Sequence, residues 1–523
     1  MSARGRGLAL VNANVVTMDP SKPRAEAVYA RGGVVRAVGS VSAVMRRVRP
    51  GDEVLDLEGL TVLPGFVDSH IHLMGLALSR KWVDLRGARS VRELVEALRE
   101  RAALTPEGEW VLGRGWDHEL LAEERYPTRA DLDSVSERHY VVAVRVCGHA
   151  CAVNSRVLKL MRERLGVELA GELAEGLVRG SLLSRLFELV PKLSRDELRR
   201  GLVEVTRELA AAGITTAHAM SVTEEELTAL VDLAREGLLP IRVRAYVVPS
   251  LMHRAGLVRS LEGMLRVAGV KLTLDGSLGA RTAALEEPYS DEPGSMGVMH
   301  ATEGELVAAL MECRRLGLQP AMHAIGDRAV RLALSAIRAV YGRDLRPYRP
   351  RLEHASLLSE ALLREMAEMR GLVVSIQPTF VTSDFWAVSR VGEHRAKYLY
   401  AFRSMAEAGV RLAVGSDAPV EDFKPLRQLR VLVDRGRREG AELHRLTPSE
   451  VLTAAEALAA YTTGGAYAAF DEGVIGSISP GKLADMVVLS GDPLKVSADD
   501  MERLEVVATF VGGRLAHASR ALS

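Results

Sequence analysis

Between about residue 60 and residue 415 the chain alternates short apolar runs with stretches of helical period, and this alternation restricts the fold more than any other feature. Leu60 to Val67, Gly213 to Ala219, Ile241 to Val248, Gly269 to Leu274, Pro320 to Ile325, Arg351 to His354, Leu372 to Gln377 and Arg411 to Val414 read as strands. Runs this evenly apolar belong to strands covered on both faces, as parallel strands under helices are. Helix signals fill the gaps. Ser194-Arg-Asp-Glu197, Thr223-Glu-Glu-Glu226 and Thr302-Glu-Gly-Glu305 fit the capping box, in which hydroxyl and carboxylate satisfy free backbone N–H groups reciprocally, while Gly213, Gly237 and Gly317 follow last helical turns. Eight strands alternating with helices predict an α/β fold, a (β/α)8 TIM barrel.

The ends read differently. Leu8 to Met18, Ala27 to Val38 with a turn at Gly32-Gly33, and Glu53 to Leu57 are strand-like, with no helical period among them. Ala484 to Ser490 is a further strand, and Val506 to Gly512 with Arg514 to His517 form a predicted hairpin. The expected organisation is a composite β-sandwich from residues 1–62 and 469–523 around a barrel at 63–468. Residues 77–191 are too long for an ordinary βα connection. With an amphipathic helix at Ser90 to Ala103 and strands at Trp110 to Gly113 and Tyr140 to Val146, they predict an inserted lobe between strands 1 and 2 that covers the barrel mouth.

Lys plus Arg and Asp plus Glu are equal at 68 each, which removes the electrostatic case for a nucleic acid or an anionic membrane as partner. A small-molecule substrate is expected, and a homodimer is compatible. Hydrophobic residues make up 48% and aromatics 4%, so Val, Leu, Ala and Met must build the core. The early apolar stretch is interrupted by Asn12 and Asn14, and no apolar run approaches the ~18 residues of a membrane span, which points to a cytoplasmic protein. Cys147, Cys151 and Cys313 lack zinc-finger spacing and read as reduced, buried thiols. The amides are few: Asn12, Asn14, Asn154, Gln319, Gln377 and Gln428. With 26% charged residues, that is a hyperthermophile pattern.

His70 and His72 end the first run, and residues i and i+2 of a strand point to one face, so both imidazoles can reach one ion. Lys271, His323, His354 and Asp417 lie at or near the ends of later runs. The C-terminal ends of barrel strands are where active sites of this architecture lie. The stretches LPGFVDSHIHL, VKLTLDGSLGARTAAL, MHAIGDRAV, RLEHAS and GSDAPVE resemble the metal-dependent amidohydrolase superfamily, specifically its YtcJ-like branch, which includes N-substituted formamide deformylases. GRGWDHELL, YPTRADLD and GHACAVNSRVL resemble the insertion of that branch. In the family's order, His70 and His72 fall on strand 1, Lys271 on strand 4, His323 on strand 5, His354 on strand 6 and Asp417 on strand 8.

The donor types suit a borderline-soft divalent ion such as zinc. The resemblance implies two such ions, held by His70, His72 and Asp417 on one side and by His323 and His354 on the other. It also implies a carbamylated Lys271 between them, because an ammonium cannot ligate a dication; the alternative is an unmodified Lys271 paired with Asp275. The implied activity is cleavage of a non-peptide amide C–N bond, in an N-acyl or N-formyl type small molecule, by a metal-bound hydroxide with Asp417 as general base and then acid. His149 and Arg281 are candidate substrate contacts, and Phe380, Phe385 and Trp386 a candidate apolar wall. Gly326-Asp327-Arg328 is expected to brace the site, and His218 to end strand 2 at the mouth. An ester, lactone or phosphotriester hydrolase would use the same set. A mononuclear deaminase would bring a His-x-x-Glu that His323-Ala-Ile-Gly-Asp327 does not supply, and a catalytically inactive metal-binding scaffold would show lost ligands. Lys424 to Arg430 lacks the acidic residue the branch leads one to expect before its proline, which weakens any transfer of substrate specificity.

Overall fold

The computed structural model describes residues 6–520 apart from 147, 149, 258–260 and 262. Its centre is an eight-stranded parallel sheet in chain order: β1 (Phe66–Ile71), β2 (Ile214–Val222), β3 (Arg242–Val247), β4 (Leu265–Thr273), β5 (Gln319–Ala324), β6 (Arg351–His354), β7 (Val373–Ile376) and β8 (Arg411–Val414). The strands are almost wholly buried, as their apolar sequences require. Last meets first beyond β8, where the Asp417 N–H donates to the His70 carbonyl at 2.7 Å and the His72 N–H to the Ala418 carbonyl at 2.9 Å. The predicted TIM barrel is present, and its seam lies at the ligand-type residues. A Cβ on Gly415 would lie 2.5 Å from that of His70, so only glycine lets the two chains approach this closely.

Capping boxes form at Ser194 and Thr302 as predicted. At Thr223 only half of one forms. The hydroxyl accepts from the Glu226 N–H at 3.3 Å, but the Glu226 carboxylate turns inward and accepts from the Met74 N–H at 3.2 Å. Tertiary structure has taken this carboxylate from its local partner.

Two further sheets stand beside the barrel. One pairs Val34–Gly39, Ala27–Arg31, Gly7–Val11 and Glu53–Asp56; the other joins Arg24–Ala25, Asn14–Val16 and Thr61–Pro64 to Met486–Leu489, Val506–Val511 and Arg514–Ala518. The two ends of the chain meet where Thr61–Pro64 runs antiparallel to Met486–Leu489. Leu10, Val15, Val62, Met486 and Phe510 share one core. The run read as one strand, Leu8 to Met18, is two, broken where Asn12 takes φ 51 and its amide donates to Asp56 Oδ2 at 2.7 Å. Val41–Met45 is a helix capped by Ser40, and five residues are too few to display a period. Arg242 at the start of β3 ties this part to the barrel through Asp485, at 2.5 and 3.0 Å.

Between β1 and β2 lies a five-stranded sheet of Val83–Asp84, Trp110–Trp116, Tyr140–Arg145, Ala150–Val153 and Leu177–Arg179. The helix Val91–Ala103, capped by Ser90, packs on it through Leu94 and Leu98. Cys151 and Cys313 are free and buried; Cys147 lies outside the described residues. Among the described residues no helix is long and apolar enough to cross a membrane.

Candidate metal centre

His70, His72, Lys271, His323, His354 and Asp417 all line one cleft of about 380 Å³ at the C-terminal ends of the strands. β1 carries His70 and delivers His72 one residue past its end; Lys271 and His323 sit near the ends of β4 and β5; His354 ends β6; Asp417 lies in the loop after β8. Ligand atoms of His70, His354 and Asp417 lie within 4.8 Å of one another. Asp417 Oδ1 is 3.1 Å from His72 Nε2 and 3.4 Å from His70 Nε2. Lys271 Nζ is 3.3 Å from His70 Nε2, and the His323 and His354 rings meet at 4.6 Å between centroids. His354 and Asp417 hold left-handed backbone, φ 78 and 56, a conformation that costs non-glycine residues about 1–3 kcal/mol and concentrates at functional sites.

Second contacts set the imidazoles. His70 Nδ1 faces Glu353 Oε2 at 2.6 Å, His354 Nδ1 faces Gln377 Oε1 at 2.7 Å, and His72 Nδ1 faces the Met220 carbonyl at 3.2 Å. Each partner is an acceptor, so each Nδ1 carries the proton and each Nε2 is the nitrogen offered to the cleft. His323 differs: its Nε2 meets the Gly276 carbonyl at 2.9 Å. Burial, then the Lys271 charge, pushes His70 well below the ordinary histidine range; burial also lowers His354. Neutral imidazoles are the form that ligates. Burial alone would raise Asp417, but the imidazoles of His70, His72 and His354 pull its carboxyl well below the usual range. Lys271 is lowered by burial, and among the described residues no carboxylate oxygen lies within 4.0 Å of its amine. Asp275, the alternative partner, is occupied elsewhere, accepting from the N–H groups of Ala284, Ile325 and Gly326 at 2.9, 3.0 and 2.8 Å.

Beneath the cleft runs a buried polar chain that the sequence reading missed. Arg351 grips Glu353 at 2.8 and 3.1 Å and donates to the Ser69 carbonyl, Tyr246 Oη and His218 Nδ1 at 2.6, 2.9 and 3.0 Å; Tyr246 in turn donates to Gln319 at 2.6 Å. His218 is therefore not at the mouth: β2 runs on to Val222 and the ring is buried within the barrel. One signal could have found part of this chain. Of only three glutamines, Gln377 orients His354 and Gln319 anchors Tyr246.

The remaining candidates divide. Phe380 and Trp386 line a smaller lobe of the cleft, of about 70 Å³, while Phe385 is 44% exposed and stands outside it. Arg281 lines neither lobe and pairs with Asp291 at 2.9 Å and Glu292 at 3.3 Å. Asp327 is the first residue of the helix Asp327–Tyr341 and accepts from the Glu286 N–H at 2.9 Å; the end of β5 is braced by Asp275 instead. His149 lies outside the described residues.

The model of the amidohydrolase family matches residues 53–517. The chain belongs to the amidohydrolase family. It is a metal-dependent hydrolase of carbon–nitrogen bonds other than peptide bonds. This amidohydrolase is 31% identical to the YtcJ protein of Bacillus subtilis (strain 168), over 96% of this chain and 98% of that one. It is 29% identical to the N-substituted formamide deformylase of Arthrobacter pascens, over 98% of each. Its fold matches an uncharacterised metal-dependent hydrolase of Pyrococcus horikoshii OT3 with a TM-score of 0.81 at 33% identity, covering 94% of this chain and 99% of that one. The donor set fits the metal the family uses: neutral imidazole nitrogens and an ionised carboxylate converge in a buried cleft, each of three histidines oriented from behind.

Proposed function

We propose that this amidohydrolase cleaves the C–N bond of a small N-acyl or N-formyl amide, with His70, His72, Lys271, His323, His354 and Asp417 holding two divalent ions of the zinc type. The convergence of His70, His354 and Asp417 within 4.8 Å carries the reading, and the deformylase relative supports the amide class. When bound, such ions supply Lewis acidity to a carbonyl oxygen and lower the pKa of water toward ~7. Asp417, ionised and beside His72, takes the proton from the attacking water at its carboxylate and passes it to the departing nitrogen. Burial lowers the Lys271 amine from its ordinary range, which favours the neutral form whose nitrogen can attack carbon dioxide; the N–C bond forms, one proton leaves, and the lysine becomes an anionic ligand. Zinc-loaded protein tested against N-formyl, N-acyl-amino-acid, cyclic amide and ester panels should turn over amides, with about two ions per chain by elemental analysis. Turnover confined to esters or lactones would replace the amide reading, and a protein that never loads more than one ion would end the two-ion reading.

A further inference from the structure

The smaller lobe of the cleft lies beyond His323 and Asp417, and its walls carry an unusual charge set. Asp117 and Arg145 come from the inserted lobe, Asp384 and Trp386 from the connection after β7, and Glu421 from the connection after β8. Arg145 is bound to Asp117 at 2.6 Å with both side chains buried, and its charge also lowers Asp384. The lining therefore sets three carboxylates besides Asp417, those of Asp117, Asp384 and Glu421, against one guanidinium; Arg427, outside the lining, offsets part of the Glu421 charge. Phe380, Trp386, Leu278 and Ile325 supply the apolar walls. About 70 Å³ leaves room for only a few non-hydrogen atoms.

We propose that this lobe seats a positively charged group of the substrate, an ammonium set a few atoms from the scissile amide, and that Asp384 and Glu421 select it. The inference rests on the amide-hydrolase reading above and names the substrate class within it. An excess of carboxylates over cations is costly in a poorly hydrated pocket, and a cation entering beside Asp384 and Glu421 lowers that cost. Aromatic faces on the same wall attract a cation further. An anion would meet the excess of carboxylates, and a neutral chain would leave that excess in place. Burial pushes Asp384 up to about 7, against the Tyr400 hydrogen bond and the Arg145 charge and with the Glu421 and Asp117 charges, and burial raises Glu421. Tyr400 donates its hydroxyl to Asp384, which fixes that carboxyl's position in the wall.

The test compares kcat/KM of the metal-loaded enzyme for N-(2-aminoethyl)formamide, N-propylformamide and N-formyl-β-alanine. The cationic amide should exceed the neutral one at least tenfold, with the anionic one poorest, and the cationic-to-neutral ratio should fall about tenfold in Glu421→Gln. Asp384→Asn should lower the same ratio; because Asp384 is bound by Tyr400 and its variant can misfold, Glu421 decides. Equal turnover of the three amides, or an unchanged ratio in Glu421→Gln, overturns the inference while leaving the amide reading intact. If none of the amides is cleaved, the amide reading has failed, and calorimetric titration with ethylammonium and with acetate still decides the lobe. Ethylammonium binding weakened in Glu421→Gln supports the cation seat; no ethylammonium binding, or a preference for acetate, refutes it.

Discussion

Glu353 reaches across the barrel from β6 to hold His70 Nδ1 at 2.6 Å, while the next residue, His354, faces the cleft from the same strand. One strand thus supplies a metal-facing imidazole and the carboxylate that orients a second one on β1. Replacing Glu353 by Gln keeps a hydrogen-bond acceptor and removes the charge. Zinc affinity should fall by roughly 10- to 100-fold, read by competition with a chelator of known affinity. An unchanged affinity would reduce Glu353 to a counter-charge for Arg351.

Lys271→Ala removes an amine that has no carboxylate oxygen within 4.0 Å among the described residues. It should lose metal and turnover together. Acetate supplied in solution should restore part of both, because it returns a carboxylate to the space. In wild type, added bicarbonate should speed recovery of metal-loaded activity from stripped protein, and extra density beyond Nζ at high resolution is the direct observation. A bare amine in a metal-loaded crystal would refute the modification.

For Asp417, the proton-transfer role predicts a loss in kcat of roughly 10²- to 10⁴-fold in Asp417→Asn. The substitution keeps the side chain's shape and the backbone bonds from position 417 to the His70 carbonyl and from His72 to the Ala418 carbonyl, so the barrel seam should persist and melting should shift little. A variant that keeps most of its kcat would move the base elsewhere.

Glu226 gives a prediction about pH. It is 2% exposed, and burial pushes its carboxyl up to about 8. The unfolded carboxyl titrates near ~4.3, so between that pH and about 8 the folded state binds more protons than the unfolded one, and stability falls as pH rises through the window. Glu226→Gln keeps the acceptor for Met74 and cannot ionise. Its melting temperature relative to wild type should therefore climb from pH 5 to pH 9, by a margin worth about 1–3 kcal/mol. A constant difference at the two pH values would show that Glu226 does not titrate across this window.

The barrel was legible because parallel strands buried on both faces must be apolar throughout, and the helices between them announce their starts with Ser194 and Thr302. The cleft residues were legible because His, Lys and Asp are out of place at the ends of such runs. What stayed hidden is what sequence distance conceals. Glu353 meets His70 across 283 positions, and Asp117 and Arg145 reach the smaller lobe from an insertion whose own pattern describes only its sheet. Local signals misled at Thr223, where Glu226 looks like a capping residue until the Met74 N–H claims it.

Asp68 Oδ1 accepts from the His70 N–H at 3.1 Å and from the Ser416 N–H at 3.0 Å, joining segments 348 positions apart. The bonds that shut the cylinder are also those that bring Asp417 to the histidines of β1. The donor set is therefore complete only when the ring is closed, because its last member arrives with the segment that closes it.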